Sequence, residues 1–578
     1  MTNVEIAAVL AKIADLLEIL NENPFKVRSF RRAVETVSGL AEEATELVAE
    51  GRLVGLPGIG KSIAEVITEL VRDGRTAHLD DLLEKVPESL LEMLRVPGFG
   101  PRKASVVYEQ LGLTTLDELE AAARAGQLRQ LPGFGAKTEQ KILEGIELVR
   151  AGQDRWLLGE ALPLAEEFVA RLRAHPEVLA AEMGGSTRRR RETVGDLDLL
   201  ATSNDPAAVC AWFAREGGLA TVEMAGDTKV SGRTERGLQV DLRVVKPESF
   251  GALVNYFTGS KEHNIRLRER AQRMELTLNE YGLYRGIAED KGDQVAGENE
   301  EGIYAALGLP LIPPELREDR GEIEAAEAGR LPHLLTDADM RCDLHMHTNA
   351  SDGQLPLAEM VAAAREYGYS HIGITDHSAS LYVANGLDRD RLWAEIQAIR
   401  ELNAELGDFT VLAGIEADIL SDGTLDIPED LWPELDFVIA SIHQGFSQDA
   451  DRMTARVLKA ITSDRMDVLG HPTGRLVLER PPYGLHLDDV LDAAREHDVA
   501  MEVSSSPHRL DLNDAHCRLA VERGVKLCIN TDAHGPKELA LLRYGVMTAR
   551  RGWVEAPSVI NTWPLPKLRQ WLGQRRRA

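Results

Sequence analysis

Residues 184–200 read GGSTRRRRETVGDLDLL, a glycine-rich turn followed by an alternating apolar and acidic segment. Because side chains in a strand repeat every two residues, a strand here places Asp196 and Asp198 on the same face. Two neighbouring carboxylates repel each other, and burying them is costly unless a cation neutralises both. The segment therefore predicts a β-strand that carries a divalent-metal site, with Mg²⁺ or Mn²⁺ as the ion.

A second acidic strand is predicted downstream. The segment QVDLRVV (239–245) alternates so that Asp241 lies on the opposite face from its apolar neighbours, where it can join the first two acids. Three acids can hold two divalent ions, one activating a 3′-hydroxyl and the other binding a triphosphate. The turn at 184–186 offers amides and the Ser186 hydroxyl to phosphate oxygens, and Arg189 offers a charge-assisted fork. The pattern predicts nucleotidyl transfer chemistry in an α+β domain.

The chain from residue 340 onward is rich in histidine. Its ligand-type residues follow short apolar runs that alternate with helical stretches, as in repeated βα units. In a barrel of parallel strands such residues converge at the carboxyl ends of the strands, where barrel active sites lie. The segments are CDLHMHT (342–348), IGITDHS (372–378), VLAGIEAD (411–418), FVIASIHQ (437–444), VLGHP (468–472) and LCINTDAH (527–534).

A turn motif occurs three times in the first 150 residues, as LPGIGKS (56–62), VPGFGPRK (96–103) and LPGFGAKT (131–138). Helix-like apolar periodicity flanks each copy, so the pattern predicts helix, tight turn, helix. The glycines permit positive φ and close approach of amides to a phosphate, and each lysine adds local charge. The pattern resembles the helix-hairpin-helix module, which implies contacts to a DNA backbone at Gly58, Gly60, Lys61, Gly98, Gly100, Lys103, Gly133, Gly135 and Lys137.

Composition limits the function classes. A formal net charge of −28 excludes a protein that coats nucleic acid by bulk attraction, so any DNA contact must be local. The four cysteines are scattered with no CxxC pair, which indicates neither a disulfide framework nor a zinc finger. No segment approaches the ~18 unbroken apolar residues that span a bilayer. We therefore expect a cytoplasmic protein that contacts no membrane, and a monomer, because no heptad seam demands a partner.

Residues 1–315 resemble the family X DNA polymerases, the group that includes polymerase beta, through GGS, GDLD and NYFTGSKEHNIRLR (255–268). The resemblance implies template-directed synthesis from dNTPs on gapped or primed DNA, as in gap filling during base excision repair. It implies that Asp196, Asp198 and Asp241 hold the catalytic metals. The implied nucleotide contacts are Gly185, Ser186, Arg189, Tyr256, Phe257, Gly259 and Asn264, and Arg268 is implied to follow the template strand.

Several positions depart from that family. Thr187, Arg190 and Lys261 stand where the family has an aromatic residue, a glycine and an acid. Val66 stands where the Schiff-base lysine of the lyase segment is expected. Since valine cannot form an imine, strong 5′-deoxyribose-phosphate lyase activity is not expected.

The C-terminal segment resembles a polymerase and histidinol phosphatase (PHP) domain. The resemblance implies a distorted (β/α)7 barrel similar to a TIM barrel, with up to three ions and Glu416 as the bridging ligand. Imidazole and carboxylate ligands together suit Zn²⁺, Mn²⁺ or Fe. The implied activity is metal-dependent 3′-5′ exonuclease or phosphoesterase action. Every expected ligand position is filled: His345, His347, Asp352, His377, Glu416, His443, His471, Asp532 and His534.

The sequence thus predicts a multidomain protein with an all-α N-terminal region. Two alternatives stay open. The C-terminal domain could be a phosphatase for small phosphate esters or hold metals only structurally, and the whole chain could be a DNA end-binding scaffold. The predicted domains are helix-hairpin-helix DNA-binding (1–150), nucleotidyltransferase palm (151–246), thumb (247–315), linker (316–339) and PHP hydrolase (340–578).

Overall fold

The structure is a computed structural model that describes residues 1, 3–38, 44–56, 58–152, 155–286 and 292–575. The chain divides into two compact units, one formed by residues 1–153 with 478–480 and the other by residues 154–477 with 481–578. Within the described ranges, every helix is too short or too polar to cross a bilayer.

The first unit is helical, as predicted. Its amphipathic helices bury Leu10, Phe30, Ile67 and Phe99 in one core. The helices are α1 (Asn3–Ile19), α2 (Pro24–Ser38), α3 (Ala44–Ala49), α4 (Lys61–Asp73), α5 (Ala77–Leu83), α6 (Ser89–Met93), α7 (Pro101–Leu111), α8 (Leu116–Arg124) and α9 (Ala136–Gly152). Helix α4 ends at Gly74 in the left-handed conformation, which a glycine adopts without a Cβ penalty.

Residues 155–339 form a mixed region of strands and helices. Its elements are β1 (Trp156–Leu157), α10 (Leu158–Ala174), β2 (Ala180–Met183), α11 (Gly185–Arg188), β3 (Thr193–Val194), β4 (Asp196–Thr202), α12 (Pro206–Glu216), β5 (Thr221–Ala225), β6 (Lys229–Arg233), β7 (Gln239–Val245), α13 (Phe250–Thr258), α14 (Lys261–Arg273), β8 (Leu276–Asn279), β9 (Gly282–Arg285), β10 (Gln294–Ala296), α15 (Glu300–Ala306) and α16 (Glu322–Glu327). A five-stranded sheet has the order β2-β4-β7-β6-β5, in which β4 and β7 are parallel.

The five-stranded sheet is covered by α10 and α12, which bury Phe168 and Phe213 against it. The smaller antiparallel sheet, β10-β9-β8, packs with α14 and α15. The predicted linker at 316–339 is folded, and the side chains of Arg317 and Glu322 within it are fully buried. Arg317 Nη1 pairs with Glu300 at 2.5 Å, so the linker is fixed to the thumb by a buried ion pair.

The C-terminal half alternates strands and helices. Its elements are β11 (Cys342–Asp343), α17 (Leu357–Tyr367), β12 (His371–Ile374), α18 (Arg389–Leu406), β13 (Thr410–Ala413), β14 (Glu416–Asp418), β15 (Ile439–Ser441), α19 (Ala450–Ile461), β16 (Val468–Leu469), α20 (Leu487–Glu496), β17 (Ala500–Ser504), α21 (Asp514–Glu522), β18 (Leu527–Asn530), α22 (Leu542–Arg551) and α23 (Leu565–Arg575).

All strand pairs in this half are parallel, which confirms the predicted βα units. They form one sheet in the order β11-β12-β13 and another in the order β14-β15-β16-β17-β18. Single parallel bridges join Met346 to Ala533 and His377 to Glu416 across the edges of these sheets. The strands are buried on both faces, as expected when helices cover a parallel sheet. Closure into a seven-stranded barrel stays a prediction.

Candidate active sites

Two strands of the five-stranded sheet bring the predicted acids together. In the parallel pairing of β4 with β7, Asp198 lies directly opposite Asp241, and Asp196 lies two residues before Asp198 on the same strand. We call these three residues the carboxylate site. Since the side chains of a strand alternate, the register places all three on one face of the sheet.

Electrostatic repulsion acts within the carboxylate site. Burial raises the pKa of Asp198 to about 7, and the charges of Asp196 and Asp241 add to the effect. Burial and Asp241 also raise the pKa of Asp196. Burial opposes ionisation of Asp241, but Lys229 and the side-chain amide of Gln239 lower its pKa. Lys229 Nζ lies 2.9 Å from Asp241 Oδ2 and neutralises part of the charge.

The chemistry of these donors suits a hard divalent cation, which takes carboxylate oxygens. Within the described ranges, the oxygens of the three aspartates do not all lie within 4.8 Å of one another. An ion bound here would offset the burial and the repulsion that together raise the pKa of Asp198, and it would compete with Lys229 for Asp241.

The turn before β4 requires glycine. Gly184 N donates to Asp198 O at 2.7 Å, which holds the turn against the strand. Gly185 has a φ of +56°, and a Cβ added there would lie 2.5 Å from Asp198 Oδ2. Only a residue without a side chain fits between the turn and the carboxylate. Ser186 follows Gly185 on α11.

Arg189 is oriented by protein groups on two sides. Its Nε donates to Glu318 Oε1 at 3.0 Å, and its Nη1 donates to Thr258 O at 2.5 Å. A Cβ added to Gly259 would lie 3.0 Å from Arg189 Nη1, so this glycine permits the approach. The structure therefore brings together two predicted nucleotide contacts that are 70 residues apart in the sequence. Arg190, at the position of the family's glycine, keeps a left-handed φ of +58°.

The predicted sugar- and base-facing residues lie where α13 ends and α14 begins. The rings of Tyr256 and Phe257 are 5.1 Å apart, and Arg243 lies 4.3 Å above the Phe257 ring. Asn264 Nδ2 donates to Tyr256 O at 2.7 Å, whereas its buried Oδ1 has no protein donor within the described ranges. Arg268 lies one turn further along α14 and is half-buried.

The three turn motifs of the first unit have the predicted conformation. Gly58, Gly98 and Gly133 adopt φ values of +77°, +75° and +81°. Helices α4, α7 and α9 begin just after the second glycine of each motif, Gly60, Gly100 or Gly135, and the N-terminal residues Gly60 and Gly100 place no side-chain cap over the first amides.

The three lysines of these motifs differ. Lys61 and Lys137 are exposed. Lys103 Nζ instead donates to Gly98 O at 2.5 Å, within its own turn. Burial and the charge of Lys141 lower the pKa of Lys103. Lys103 is therefore less available to a phosphate than the other two lysines.

The C-terminal half gathers the predicted metal ligands at one end of its strands. They follow the last residues of β11, β12, β15, β16 and β18, or begin β14. Three overlapping sets have ligand atoms within 4.8 Å of one another: His347, Asp352, His377 and His534; His345, His347 and Asp532; and His377, Glu416 and His443. We call these eight residues and His471 the histidine site.

Glu416 lies at the centre of the histidine site. Its Oε2 is 2.8 Å from His377 Nδ1, and its Oε1 is 3.2 Å from His443 Nε2 and 3.1 Å from His471 Nε2. Its Oε2 is also 3.4 Å from His345 Nε2. Each carboxylate oxygen of Glu416 therefore faces two histidine nitrogens, and its bridging role stays a prediction.

In the part of the chain that the structure describes, several buried atoms of the histidine site have no hydrogen-bond partner. They are His345 Nε2, His347 Nδ1, His377 Nδ1, His471 Nδ1 and Glu416 Oε2. Buried polar atoms are almost always paired, so these unpaired nitrogen and oxygen atoms are suited to bind cations. Mixed imidazole and carboxylate donors suit Zn²⁺, Mn²⁺ or Fe. The residues present fit a polynuclear metal centre.

The electrostatics of the histidine site agree with this conclusion. Burial lowers the pKa of His443, but the Glu416 and Asp418 carboxylates outweigh it and raise that pKa to about 10. In the same way Asp352 and Asp532 overcome burial and raise the pKa of His534 to about 10. The carboxylates thus attract positive charge, whether as protons or as metal ions.

Three buried carboxylates that the sequence analysis did not single out support the ligands. Glu502 Oε1 lies 2.7 Å from His345 Nδ1, and Glu502 Oε2 accepts from the amide of His471 at 2.6 Å. Asp418 Oδ1 lies 2.5 Å from His443 Nδ1. Such second contacts fix the orientation and tautomer of a ligating histidine. Asp376 similarly accepts from Thr348 and Ser351 in the loop after β11. In the sequence, these three acids are marked only by their position beside a predicted ligand or inside an apolar strand.

A cavity of about 430 Å³ opens beside the histidine site. Its lining includes the ligands Asp532 and His534 together with Arg509 from the C-terminal half. Leu157 and Glu160, from the start of the mixed region, also line the cavity. A substrate entering this cavity would contact the ligands and both halves of the second unit.

Four family descriptions match the chain. Residues 1–76 match the helix-hairpin-helix domain, residues 90–147 the SAM-like helix-hairpin-helix tandem, residues 253–318 the DNA polymerase beta thumb and residues 343–506 the PHP domain. These matches confirm the predicted classes of the N-terminal, thumb and C-terminal regions.

The chain is also similar to curated proteins. It is 38% identical over 570 residues to the DNA polymerase/3′-5′ exonuclease PolX of Bacillus subtilis. The aligned region covers 98% of this chain and 99% of that protein. A probable phosphatase of Clostridium acetobutylicum is 32% identical over 33% of this chain and 78% of its own length. A probable phosphatase of Thermoanaerobacter sp. is 27% identical over 41% of this chain and 95% of its own length.

Proposed function

Because the chain belongs to the DNA polymerase/3′-5′ exonuclease family of the Bacillus subtilis protein, a family X polymerase joined to a PHP domain, we propose that its two activities occupy the two sites described above. DNA synthesis is assigned to the carboxylate site and 3′-5′ exonuclease action to the histidine site. The observation that carries the proposal is that one chain holds two separate ligand clusters of different chemistry. Family membership favours this enzyme over the DNA end-binding scaffold.

For synthesis, Asp196, Asp198 and Asp241 would hold Mg²⁺ or Mn²⁺. Such ions, when bound, lower the pKa of a primer 3′-hydroxyl and offset triphosphate charge. Ser186 would donate to a phosphate oxygen beside the glycine turn, and Arg189 would pair with the triphosphate. The roles of the remaining nucleotide contacts, Gly185, Tyr256, Phe257, Gly259 and Asn264, are proposed on the resemblance and on their positions around α13 and α14.

For hydrolysis, the nine residues of the histidine site would hold up to three Zn²⁺, Mn²⁺ or Fe ions. Such ions, when bound, supply hydroxide near neutral pH and offset charge on the scissile phosphate. Glu502 and Asp418 would hold their histidine partners in the orientation that coordination needs. The cavity beside Asp532 and His534 would receive the 3′ end.

DNA would be held by the turn motifs of the first unit. The amides that open α4, α7 and α9 are suited to phosphate oxygens, and Lys61 and Lys137 add exposed charge. We assign Lys103 and Arg268 supporting roles. Gapped or primed DNA and dNTPs are the proposed ligands. A reducing cytoplasm fits the four free, buried cysteines, and a monomer is proposed.

The assignment of the two sites is tested with a 5′-labelled primer on a one-nucleotide-gapped duplex, with Mn²⁺, with and without dNTPs. Asp198→Ala should abolish extension and leave 3′ shortening, because it removes a carboxylate that faces Asp241. His345→Ala should abolish 3′ shortening and leave extension. Matched controls are Asp227→Ala, which removes an exposed aspartate, and His486→Ala, which removes an exposed histidine paired with Asp451.

Loss of both activities in either variant would contradict the separation, provided that the controls keep both. Shortening that survives His345→Ala would move the nuclease away from the histidine site. Extension that survives Asp198→Ala would remove the polymerase assignment.

A second candidate function for the histidine site is hydrolysis of small phosphate esters. The similarity of the C-terminal half to probable phosphatases favours it. It predicts rapid, DNA-independent turnover of a free phosphomonoester that His345→Ala abolishes. Shortening of primers without such turnover would leave the exonuclease as the function of this site, and metal binding without either activity would make the site structural.

A further inference from the structure

The mostly buried carboxylate of Glu318 connects the nucleotide-binding turn to the C-terminal half. Glu318 Oε1 accepts from Arg189 Nε at 3.0 Å and from Arg551 Nη1 at 3.0 Å. Its Oε2 lies 3.5 Å from Arg191 Nη1. Arg189 is the proposed triphosphate ligand, whereas Arg551 is the last residue of α22 in the hydrolase half. One carboxylate is therefore shared by the nucleotide-binding turn and a helix of the other enzyme.

Arg551 is fixed by contacts on both terminal nitrogens. Only 4% of its side chain is exposed. Its Nη1 also donates to Arg189 O at 2.6 Å, and its Nη2 donates to Asp514 Oδ2 at 2.8 Å. Asp514 in turn pairs with Arg320 Nη1 at 3.0 Å. Because it is buried and bonded on both sides, the guanidinium has one well-defined position.

The same network orients Arg189. Its Nε and Nη1 are occupied by Glu318 and by Thr258 O, and no acceptor within the described ranges contacts its Nη2. Burial would favour the neutral form of Glu318, but Arg551, Arg189 and Arg191 together lower its pKa. Glu318 is therefore an ionised, buried anion beside the group that must attract a triphosphate.

Arg551 neutralises part of the negative charge of Glu318 and so reduces the part that Arg189 must neutralise. The side chain of Arg191 is 40% exposed and lies further from the carboxylate, so solvent weakens its share. Without Arg551, the buried Glu318 would rely chiefly on Arg189 for compensation. An arginine whose charge is cancelled by a protein carboxylate binds a polyanion less well.

We propose that Arg551 is a positioning residue for DNA synthesis, which neutralises Glu318 so that Arg189 keeps its orientation and its charge for the triphosphate of the incoming nucleotide. The inference rests on the proposed function of Arg189. It means that the hydrolase half sets the nucleotide affinity of the polymerase site, although α22 supplies no ligand to either metal site.

The test is steady-state gap filling by the full chain, with KM for dNTP and kcat measured separately. Arg551→Ala should raise KM about tenfold or more, the value of one charge-assisted hydrogen bond, with little change in kcat. The double variant Arg551→Ala/Glu318→Gln should return KM towards the parent, because the uncompensated carboxylate is gone. The matched control is Arg543→Ala, on the same helix, which breaks an ion pair with Glu166 of α10 without touching Glu318.

Equal increases of KM in Arg551→Ala and Arg543→Ala would mean that general docking of the two halves matters, and would overturn the inference. Failure of Glu318→Gln to restore KM would also overturn it, because a structural defect is not repaired by removing another contact. If Arg189→Ala leaves KM unchanged, the premise fails, and the inference with it. Should Arg551→Ala precipitate, Arg551→Gln drops the charge at similar volume and carries the same expectation.

Discussion

Replacing Gly185 with alanine is expected to impair synthesis and spare the nuclease. The new Cβ would lie 2.5 Å from Asp198 Oδ2, whereas Cβ contacts under 3.0 Å essentially never occur. The carboxylate must then move by about 0.5 Å. Catalytic groups must be held within about that distance of their productive positions. The φ of +56° adds about 1–2 kcal/mol of strain. Since a misplacement of about 1 Å costs about 100-fold in rate, we expect kcat for extension to fall about 10- to 100-fold.

The assay is single-turnover filling of a one-nucleotide gap, with 3′ shortening measured on the same preparation. Gly237→Ala is the matched control, because Gly237 has a φ of +89° and nothing lies within 4 Å of an added Cβ. It carries comparable backbone strain without a clash, so it should lower Tm and leave both rates unchanged. An extension rate of Gly185→Ala equal to that of the parent, or an equal loss of extension rate in Gly237→Ala, would contradict this explanation.

Three further outcomes are expected. Glu502→Gln should weaken Mn²⁺ binding at the histidine site about 10- to 100-fold, because the buried carboxylate orients a ligating histidine. The nuclease rate is measured against Mn²⁺ concentration, with gap filling by the same preparation as the control. A nuclease rate that depends on Mn²⁺ as in the parent would contradict this role of Glu502. Lys61→Ala should weaken binding to gapped duplex and reduce the salt slope by about one phosphate contact, whereas Lys103→Ala, whose ammonium is bonded within its own turn, should have less effect. DNA binding is titrated at several salt concentrations, and an equal loss of affinity in the two lysine variants would contradict this difference. Mn²⁺ binding should release protons, because His443 and His534 have pKa values raised to about 10 by neighbouring carboxylates and must lose a proton to coordinate. The affinity for Mn²⁺ should therefore increase as pH rises towards 10. Calorimetry in two buffers of different ionisation enthalpy measures the number of protons released, and the same binding enthalpy in both buffers would contradict the prediction.

Local spacing was enough to predict the main elements of both sites. The two-residue separation of Asp196 and Asp198 predicted a strand with both acids on one face, and the structure has that strand paired with the one that carries Asp241. Repetition of the glycine motif predicted three left-handed turns, which the structure contains. These features depend on φ, ψ and side-chain alternation, and such properties are set by residues close together in the chain.

Supporting residues escaped the sequence analysis because their roles depend on distant partners. Glu502 contacts His345, which is 157 residues away in the chain. An isolated acid inside an apolar strand belongs to no motif that would predict this contact. The segment at 316–339 has the composition of a linker, yet Arg317 is fully buried beside Glu300. Charge in a sequence indicates exposure on average, but it does not reveal which charges find partners during folding.

The order of the amino acids was enough to predict the chemistry of this protein: which residues can hold metals, where the strands and turns that carry them lie, and that two enzymes share one chain. The connection between those enzymes is visible only in the folded protein. Folding places Arg551 against Glu318, 233 residues away in the chain, and Glu318 against Arg189. Local backbone preferences act over a few residues, whereas a buried ion pair forms wherever packing excludes water, and that location follows from the whole fold.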